Sequence, residues 1–435
     1  MSERALQESS PPISLWKRLQ NGMDKQSIFS LFFALVGLFM LLTVPGHHAD
    51  LGPAELTFGD QSGVGSIAVP TLPYGLVIAA LYLVGGVVGL LPWHRAREIR
   101  GRWLLLNGAL IIPTVLILAA AGNSINLVVF AQVSVRSSTP VVIGALAGIW
   151  CERSGVINIG IEGMMLTGAA FGFITLNLIM EGSDLHVQQA VTLGVLVAVL
   201  AGGLMALLHA WLCITFRTDQ IVSGTVINIL AIGVTSFLRR EVLLNADAGR
   251  ETLQNIHIPL LSDVPIIGEI FFQGRPIFYM MFVLLIATHV ILYFTRWGLR
   301  TRAVGENPHA ADTLGIDVQR NRWINVFIGG LIAGLAGAWF SLETTGSFYD
   351  EMTAGRGFIA LAVMIFGNWT PIGVFGAGLL YGFSDALGFR FQTLDVAVPS
   401  QFLQMVPYVI TLVVISGLVG RVFPPAAGGK PFVKE

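Results

Sequence analysis

Charge is scarce in this chain. Asp, Glu, Lys and Arg make up 12% of its 435 residues, where a soluble domain carries about 25%. That leaves too little polar surface to coat a water-soluble globule of this length. The formal net charge is −1, so no basic excess points to a nucleic acid polymer. Cysteine is nearly missing as well. Cys151 and Cys213 both fall at expected cytoplasmic edges of apolar runs, where no disulfide is expected, and they lack metal-site spacing. A phosphate-binding loop needs G-x-x-x-x-G-K-[ST], yet the only Gly-Lys pair is Gly429-Lys430, followed by Pro431. The chain therefore has no such device of its own for ATP. His-x-x-His, His-Glu-x-x-His and Gly-x-Ser-x-Gly spacings are also missing, which argues against a membrane-embedded enzyme. No catalytic residue, metal or cofactor is expected. No series of buried carboxylates or histidines suggests a proton relay. The lone His209 reads as a packed, hydrogen-bonded residue.

What is abundant is apolar length. Hydrophobic residues make up 54% of the chain, and mean hydropathy is +0.74. A span needs roughly 20 apolar residues to cross a hydrocarbon core of about 30 Å. Apolar runs fall at 28–44, 74–91, 103–121, 137–150, 157–178, 189–215, 221–238, 276–295, 323–342, 357–367, 371–389 and 402–420. They predict an all-α, polytopic transmembrane bundle of about 9–12 membrane segments. Runs 137–150 and 357–367 are short and read as half-helices or re-entrant pieces, tolerated only where buried in protein or lining a cavity. The first run exceeds the usual signal-peptide core of about 7–15 residues. Pro45-Gly46-His47-His48 follows it rather than a cleavage site, so it reads as an uncleaved anchor. The implied plan is a tail over 1–27 with an interfacial helix near 15–23, a membrane domain over 28–420, and a tail over 421–435.

Basic residues orient the plan, because short cytoplasmic loops collect Lys and Arg. None occurs between Pro45 and Leu72, or in 122–135 or 179–188, so these loops read as outside. Arg95, Arg97, Arg100 and Arg102 mark an inside loop, and the strongest basic loop is 296–322, with Arg296, Arg300, Arg302, Arg320 and Arg322. Arg421, Lys430 and Lys434 sit in the tail. Both termini then face the cytoplasm of a multi-pass plasma-membrane protein. The segment 239–275 departs from the pattern by carrying Arg239, Arg240, Arg250 and Arg275 on the outside.

Polar residues inside apolar runs are candidates for a solute path. Asn158 and Glu162 are four apart, so on a helix they share a face. Glu162 at a helix start also suits the positive dipole end, so capping and path lining are both open readings. Asn228 ends the stripe Ser223-Gly224-Thr225-Val226-Ile227-Asn228, which helix–helix packing explains equally well. Asn368-Trp369-Thr370-Pro371 reads as a helix break. Trp369 and Phe366 can stack on a base or anchor at an interface. Asp385, beside Ser384, is a path candidate or an interfacial partner for Arg390.

The basic loop has a local reading of its own. Asn307 is a good N-cap and Pro308 suits the first helical position. His309 to Leu314 can form two turns, and Gly315 suits a left-handed stop. Such a helix presents Ala310, Ala311 and Leu314 on one side. It reads as a docking element for a partner or as a plain surface helix.

Three stretches carry a family resemblance. The run Glu152-Arg153-Ser154-Gly155-Val156-Ile157-Asn158-Ile159-Gly160-Ile161-Glu162-Gly163-Met164 is the first. Gly305-Glu306-Asn307-Pro308-His309-Ala310-Ala311 with Gly315-Ile316 is the second. Ala354-Gly355-Arg356-Gly357-Phe358-Ile359-Ala360-Leu361-Ala362, continuing to Ile365-Phe366-Gly367-Asn368-Trp369, is the third. Together they resemble ABC permeases of the branched-chain amino acid, ribose and nucleoside importer superfamily. They are most similar to the nucleoside and simple-sugar permeases that work with basic-membrane-protein-type binding lipoproteins. The matches span about half the chain, and the region before residue 130 carries little of them. The resemblance implies a permease subunit in which Glu306, Asn307, Pro308, Ala310, Ala311, Leu314 and Gly315 couple to a cytoplasmic ABC ATPase. It also implies a second, related permease in a heterodimer and an extracytoplasmic solute-binding lipoprotein, with membrane lipid around the pair. Nucleosides are the expected cargo, with a ribose-like sugar or another small solute as the alternative and an ion-coupled secondary transporter as the rival class.

Overall fold

The computed structural model describes residues 25–59, 65–90, 96–183, 185–243, 251–393 and 423–434. The interfacial helix expected near 15–23, the span expected over 402–420, and Arg95, Arg250 and Arg421 lie outside the described residues. Among the described residues ten helices are long and apolar enough to cross a membrane, and the chain is an all-α polytopic bundle. The helices are α1 (Lys25–His48), α2 (Thr71–Leu90), α3 (Ala96–Ala119), α4 (Leu127–Glu152), α5 (Ile161–Gly182), α6 (Val187–Ala210) and α7 (Gln220–Leu238). They continue with α8 (Ile267–Phe271), α9 (Pro276–Phe294), α10 (Arg296–Glu306), α11 (Pro308–Thr313), α12 (Val318–Ala338), α13 (Arg356–Phe366) and α14 (Pro371–Thr393). Wider π-type turns, Trp211–Thr215, Arg239–Leu243 and Trp339–Thr345, extend α6, α7 and α12. Helix starts follow side-chain chemistry: Asn126, Asp219 and Asp317 accept backbone N–H bonds at the heads of α4, α7 and α12.

Short strands tie the connections at one end. β1 (Ala54–Thr57) lies between β2 (Ile67–Val69), antiparallel to it, and β3 (Ser124–Asn126), parallel to it. β4 (Ile256–His257) pairs with β5 (Gln273–Gly274). This is the far end of the bundle; α10 and α11 lie at the opposite, basic end.

The run 137–150 is not a short piece. It is the second half of α4, a helix of 26 residues and so about 39 Å long. Gln132, Ser134, Arg136 and Ser137 break the hydropathy of the first half. Every residue from Ser138 to Glu152 is buried. A helix walled in by protein need not offer lipid an unbroken apolar face. The run 357–367 does prove short, forming the 11-residue α13.

Glycine lets α5, α6 and α12 touch along their backbones. A Cβ on Gly337 would overlap the Met165 carbonyl, and one on Gly202 would lie 2.5 Å from the Gly330 carbonyl oxygen. One on Gly168 would lie 2.6 Å from the Gly334 carbonyl oxygen. The first three helices stand to the side. α1 and α2 share Phe33, Met40, Val44, Ile78, Ala79 and Tyr82, and Leu116 and Ile117 of α3, with Ala120 just beyond it, join Phe130, Ala386 and Leu387 of α4 and α14.

α13 runs beside the basic-end half of α4 and in the same direction. Gly144 faces Ala360, Gly148 faces Met364, and Glu152 meets Trp369 just beyond the helix. The head of α13, at Gly357, therefore lies roughly 16 Å from the Glu152 level at 1.5 Å per residue. That is about half of a 30 Å hydrocarbon core.

Candidate functional site

At mid-depth the chain presents a broken helix stapled by a carboxylate. One oxygen of Glu162 accepts from the Thr353 hydroxyl at 2.6 Å and Gly355 N–H at 2.8 Å. The other accepts from Gly357 N–H at 2.5 Å. These donors form the head of α13, where unsatisfied N–H groups and the helix dipole favour negative charge. Gly355 takes φ +77° there, and a Cβ on Gly357 would lie 2.5 Å from the Glu162 Cα. Both glycines are what this close approach needs.

Asn158 does not share a helix face with Glu162. α5 begins only at Ile161, and residues 156–160 climb from the basic end without helical structure. Gly155 at φ +87° starts that break. Three side chains hold the climbing strand of chain. Gln220 accepts from Ile157 N–H at 2.6 Å, His209 bonds the Ile157 carbonyl at 3.0 Å, and Asn228 donates to the Ile159 carbonyl at 3.1 Å. Asn228 also accepts from Gly163 N–H at 2.8 Å, which caps α5 from across the α5–α7 contact. Asn158 itself is buried, with its amide against Cys151 and Met164 sulfur at 3.4 and 3.5 Å. His209 is packed and hydrogen-bonded, as its isolation suggested. Both cysteines are buried and free.

The Asn368–Trp369 break is clamped to the end of α4. The Trp369 indole N–H donates to Glu152 at 2.6 Å, and Arg153 donates to the Trp369 carbonyl at 3.0 Å. Asn368 and Trp369 both take left-handed backbone angles, φ +52° and +51°. Trp369 is 5% exposed, so stacking on a passing base is ruled out for this conformation. Removing its donor with Trp369→Phe leaves the buried Glu152 carboxylate short of a partner, at a cost of about 1–3 kcal/mol. A lowered Tm of the detergent-purified protein is the expected result; an unchanged Tm would mean that the clamp holds nothing.

The far end holds a cavity of about 350 Å³ with a mixed polar and apolar lining that includes Arg136, Ser137, Asn255, Arg275, Trp339 and Glu343. Glu343 accepts from Ile277 N–H at 2.7 Å and so caps α9. Arg136 donates to the Gln273 carbonyl at 2.6 Å, while its Nε is buried without a partner among the described residues. Asp385 lies near Ser137 and within electrostatic range of Arg356, the first residue of α13. It does not form the expected pair with Arg390, whose guanidinium donates to the Ser124 carbonyl at 2.7 Å. Polar groups thus run from the cavity through Ser137, Asp385 and Arg356 to Glu162. Residue patterns missed the cavity because its walls come from four segments apart in sequence. The one signal was Glu343, a carboxylate directly after the apolar run 323–342.

At the basic end, Asn307 caps α11 by accepting from Ala310 N–H at 3.1 Å, and Gly315 stops it at φ +78°. The expected common face of Ala310, Ala311 and Leu314 does not form. α11 ends at Thr313, and Ala311 turns inward against Val304, Val318 and Phe432. Ala310 and Leu314 stay outside, Leu314 at 80% exposure. Gly305 packs directly on the Arg153 carbonyl. Residues 423–434 strap this corner together. Ala427 N–H donates to the Gly305 carbonyl at 2.9 Å, Arg322 bonds the Ser154 and Lys430 carbonyls, and Phe423 N–H donates to the Asn368 side chain at 2.9 Å.

Comparison with known proteins adds a family. A model described as the permease component of branched-chain amino acid transport systems matches residues 130–415. The guanosine ABC transporter permease protein NupQ of Bacillus subtilis is 40% identical over 304 residues, covering 68% of this chain and 94% of the relative. The nucleoside ABC transporter permease protein NupC of Lactococcus lactis subsp. cremoris is 39% identical with the same coverage. The putative glucose ABC transporter permease protein TsgC13 of Haloferax volcanii is 32% identical over 314 residues, covering 66% of this chain and 91% of the relative. No solved structure matches.

Proposed function

The chain belongs to the family of permease components of branched-chain amino acid transport systems, and on that premise we propose that it forms the translocation path of an ATP-driven importer for nucleosides. The observation that carries the transport reading is the half-helix α13, headed at mid-depth by Glu162. Broken helices at the midplane are where membrane transporters place their solute paths. Irregular backbone at that depth must be covered by protein or line a cavity. Yet Tyr349 and Phe358, beside the break, are 49% and 48% exposed. A second, related permease set against this face completes the path, giving a heterodimer.

The basic loop 296–322 and both termini face the cytoplasm of the plasma membrane. There the knuckle formed by Ala310, Thr313 and Leu314 seats in the ATPase subunit. ATP-driven closure of two ATPase subunits rocks the permease halves between outward-open and inward-open states. Solute arrives at the far end on a binding lipoprotein. The cargo assignment rests on similarity to NupQ and NupC, named for guanosine and nucleoside transport. The similarity to TsgC13, named for glucose, supports a sugar as the second reading.

Uptake of labelled nucleosides and glucose by cells carrying this chain with its ATPase, second permease and binding protein decides between them. ATP-dependent nucleoside uptake is expected. Glucose uptake without nucleoside uptake would favour the sugar. Accumulation by this chain alone on an imposed ion gradient would overturn the ATP-driven reading.

A further inference from the structure

The far-end cavity has the makings of a solute site inside the membrane. Arg136 lies 16 positions before Glu152 on α4, or about 24 Å away along the axis. The cavity is therefore well separated from the basic end but still at membrane depth. Ionisable side chains at such depth face protein or a water-filled space rather than lipid. Its volume of about 350 Å³ lies near the lower end of the range for small-molecule sites, about 300–1,000 Å³.

The lining chemistry narrows the solute. Arg136 and Arg275 bring cationic donors, Glu343 an anionic acceptor, Ser137 and Asn255 neutral groups, and Trp339 and Phe278 flat apolar faces. A phosphate ester would meet the Glu343 carboxylate, and an ammonium would meet two guanidinium groups. A molecule without net charge, bearing donors, acceptors and a flat ring, meets a partner for each part. Trp339 is half-buried in the cavity wall and offers a ring to stack on.

We propose that this cavity is the first membrane-embedded binding site for the solute, and that it selects an uncharged nucleoside through Trp339 stacking and hydrogen bonds from Arg136 and Ser137. The site rests on the nucleoside reading above. The cavity thus becomes a second checkpoint after the binding protein, set in the permease itself.

The test uses the complete transporter with its binding protein unchanged. Maximal uptake rates of adenosine and uridine are compared for wild type, Trp339→Leu and Ser137→Ala. A purely structural defect slows both cargoes equally. A contact at Trp339 lowers the adenosine-to-uridine ratio by roughly threefold or more, because the larger base stacks better. A second measurement reads the cavity directly. Cys151 and Cys213 are buried, so Ser137→Cys supplies a thiol for a membrane-impermeant reagent added from outside. Labelling that slows in saturating adenosine is expected. Unchanged ratios in both variants, or a Ser137→Cys thiol that is unreactive or unprotected in a transporter that still takes up nucleosides, overturn the site alone. A wild-type transporter that carries glucose and no nucleoside overturns the cargo reading and this assignment with it.

Discussion

Replacing Glu162 with alanine is expected to cut uptake roughly tenfold or more, a loss of about 1.4 kcal/mol at the barrier, while the protein stays in the membrane with its ATPase bound. Three hydrogen bonds from the head of α13 end on this one carboxylate. Hydrogen bonds to charged groups contribute about 1.5–3 kcal/mol each, and the helix dipole adds to them. Glu162 is only partly buried, so water can take over the freed N–H groups and the bundle survives. What is lost is the fixed position of α13. Glu162→Gln keeps the size and one acceptor, and should fall between alanine and wild type. Uptake and co-purification measured on the same preparation check the pair. Wild-type uptake by Glu162→Ala would leave the staple without a role in transport.

Leu314→Asp is expected to abolish stable association with the ATPase without disturbing insertion or folding. Leu314 is 80% exposed, the most open large apolar residue of the basic loop, and is not part of the buried cluster around Ala311. Truncating a central interface anchor costs about 2 kcal/mol or more, roughly 30-fold in affinity at 1.4 kcal/mol per decade. A carboxylate pressed into an apolar seat adds a desolvation cost. Ala311→Asp is the informative contrast. It puts the same charge against Val304, Val318 and Phe432, so it should lower Tm as well as association. Deleting 307–315 removes the knuckle altogether and should match Leu314→Asp in ATPase loss. Normal co-purification of the ATPase with Leu314→Asp and with the deletion would place the docking surface elsewhere.

Much of this was legible in residue order. The long apolar runs gave the spans, because a lipid-facing helix must be apolar along its length. Asn307, Pro308 and Gly315 marked the ends of α11, because caps and left-handed stops depend on local chemistry. Glu162 stood out as a carboxylate beside a helix start, although not which helix it would cap. That helix is α13, nearly two hundred positions away, and no local pattern announces it. The first half of α4 was hidden for a related reason. Gln132, Ser134 and Arg136 look like loop residues until the protein around them is known. Asn158 was assigned to a helix that begins three residues later, since the glycines at 155 and 160 allow a break without dictating where it falls. Phe432 and its neighbours read as a plain tail, yet their hydrogen bonds reach Gly305, Arg322 and Asn368.

The bare backbone contacts among α5, α6 and α12 bear on how force moves through the molecule. Gly168, Gly202, Gly334 and Gly337 leave no side chain between neighbouring main chains to be squeezed or re-sorted. A push on one of these helices finds nothing soft to compress. The unit turns like a lever instead of yielding like a spring, so a small displacement at one end reaches the opposite end with little loss.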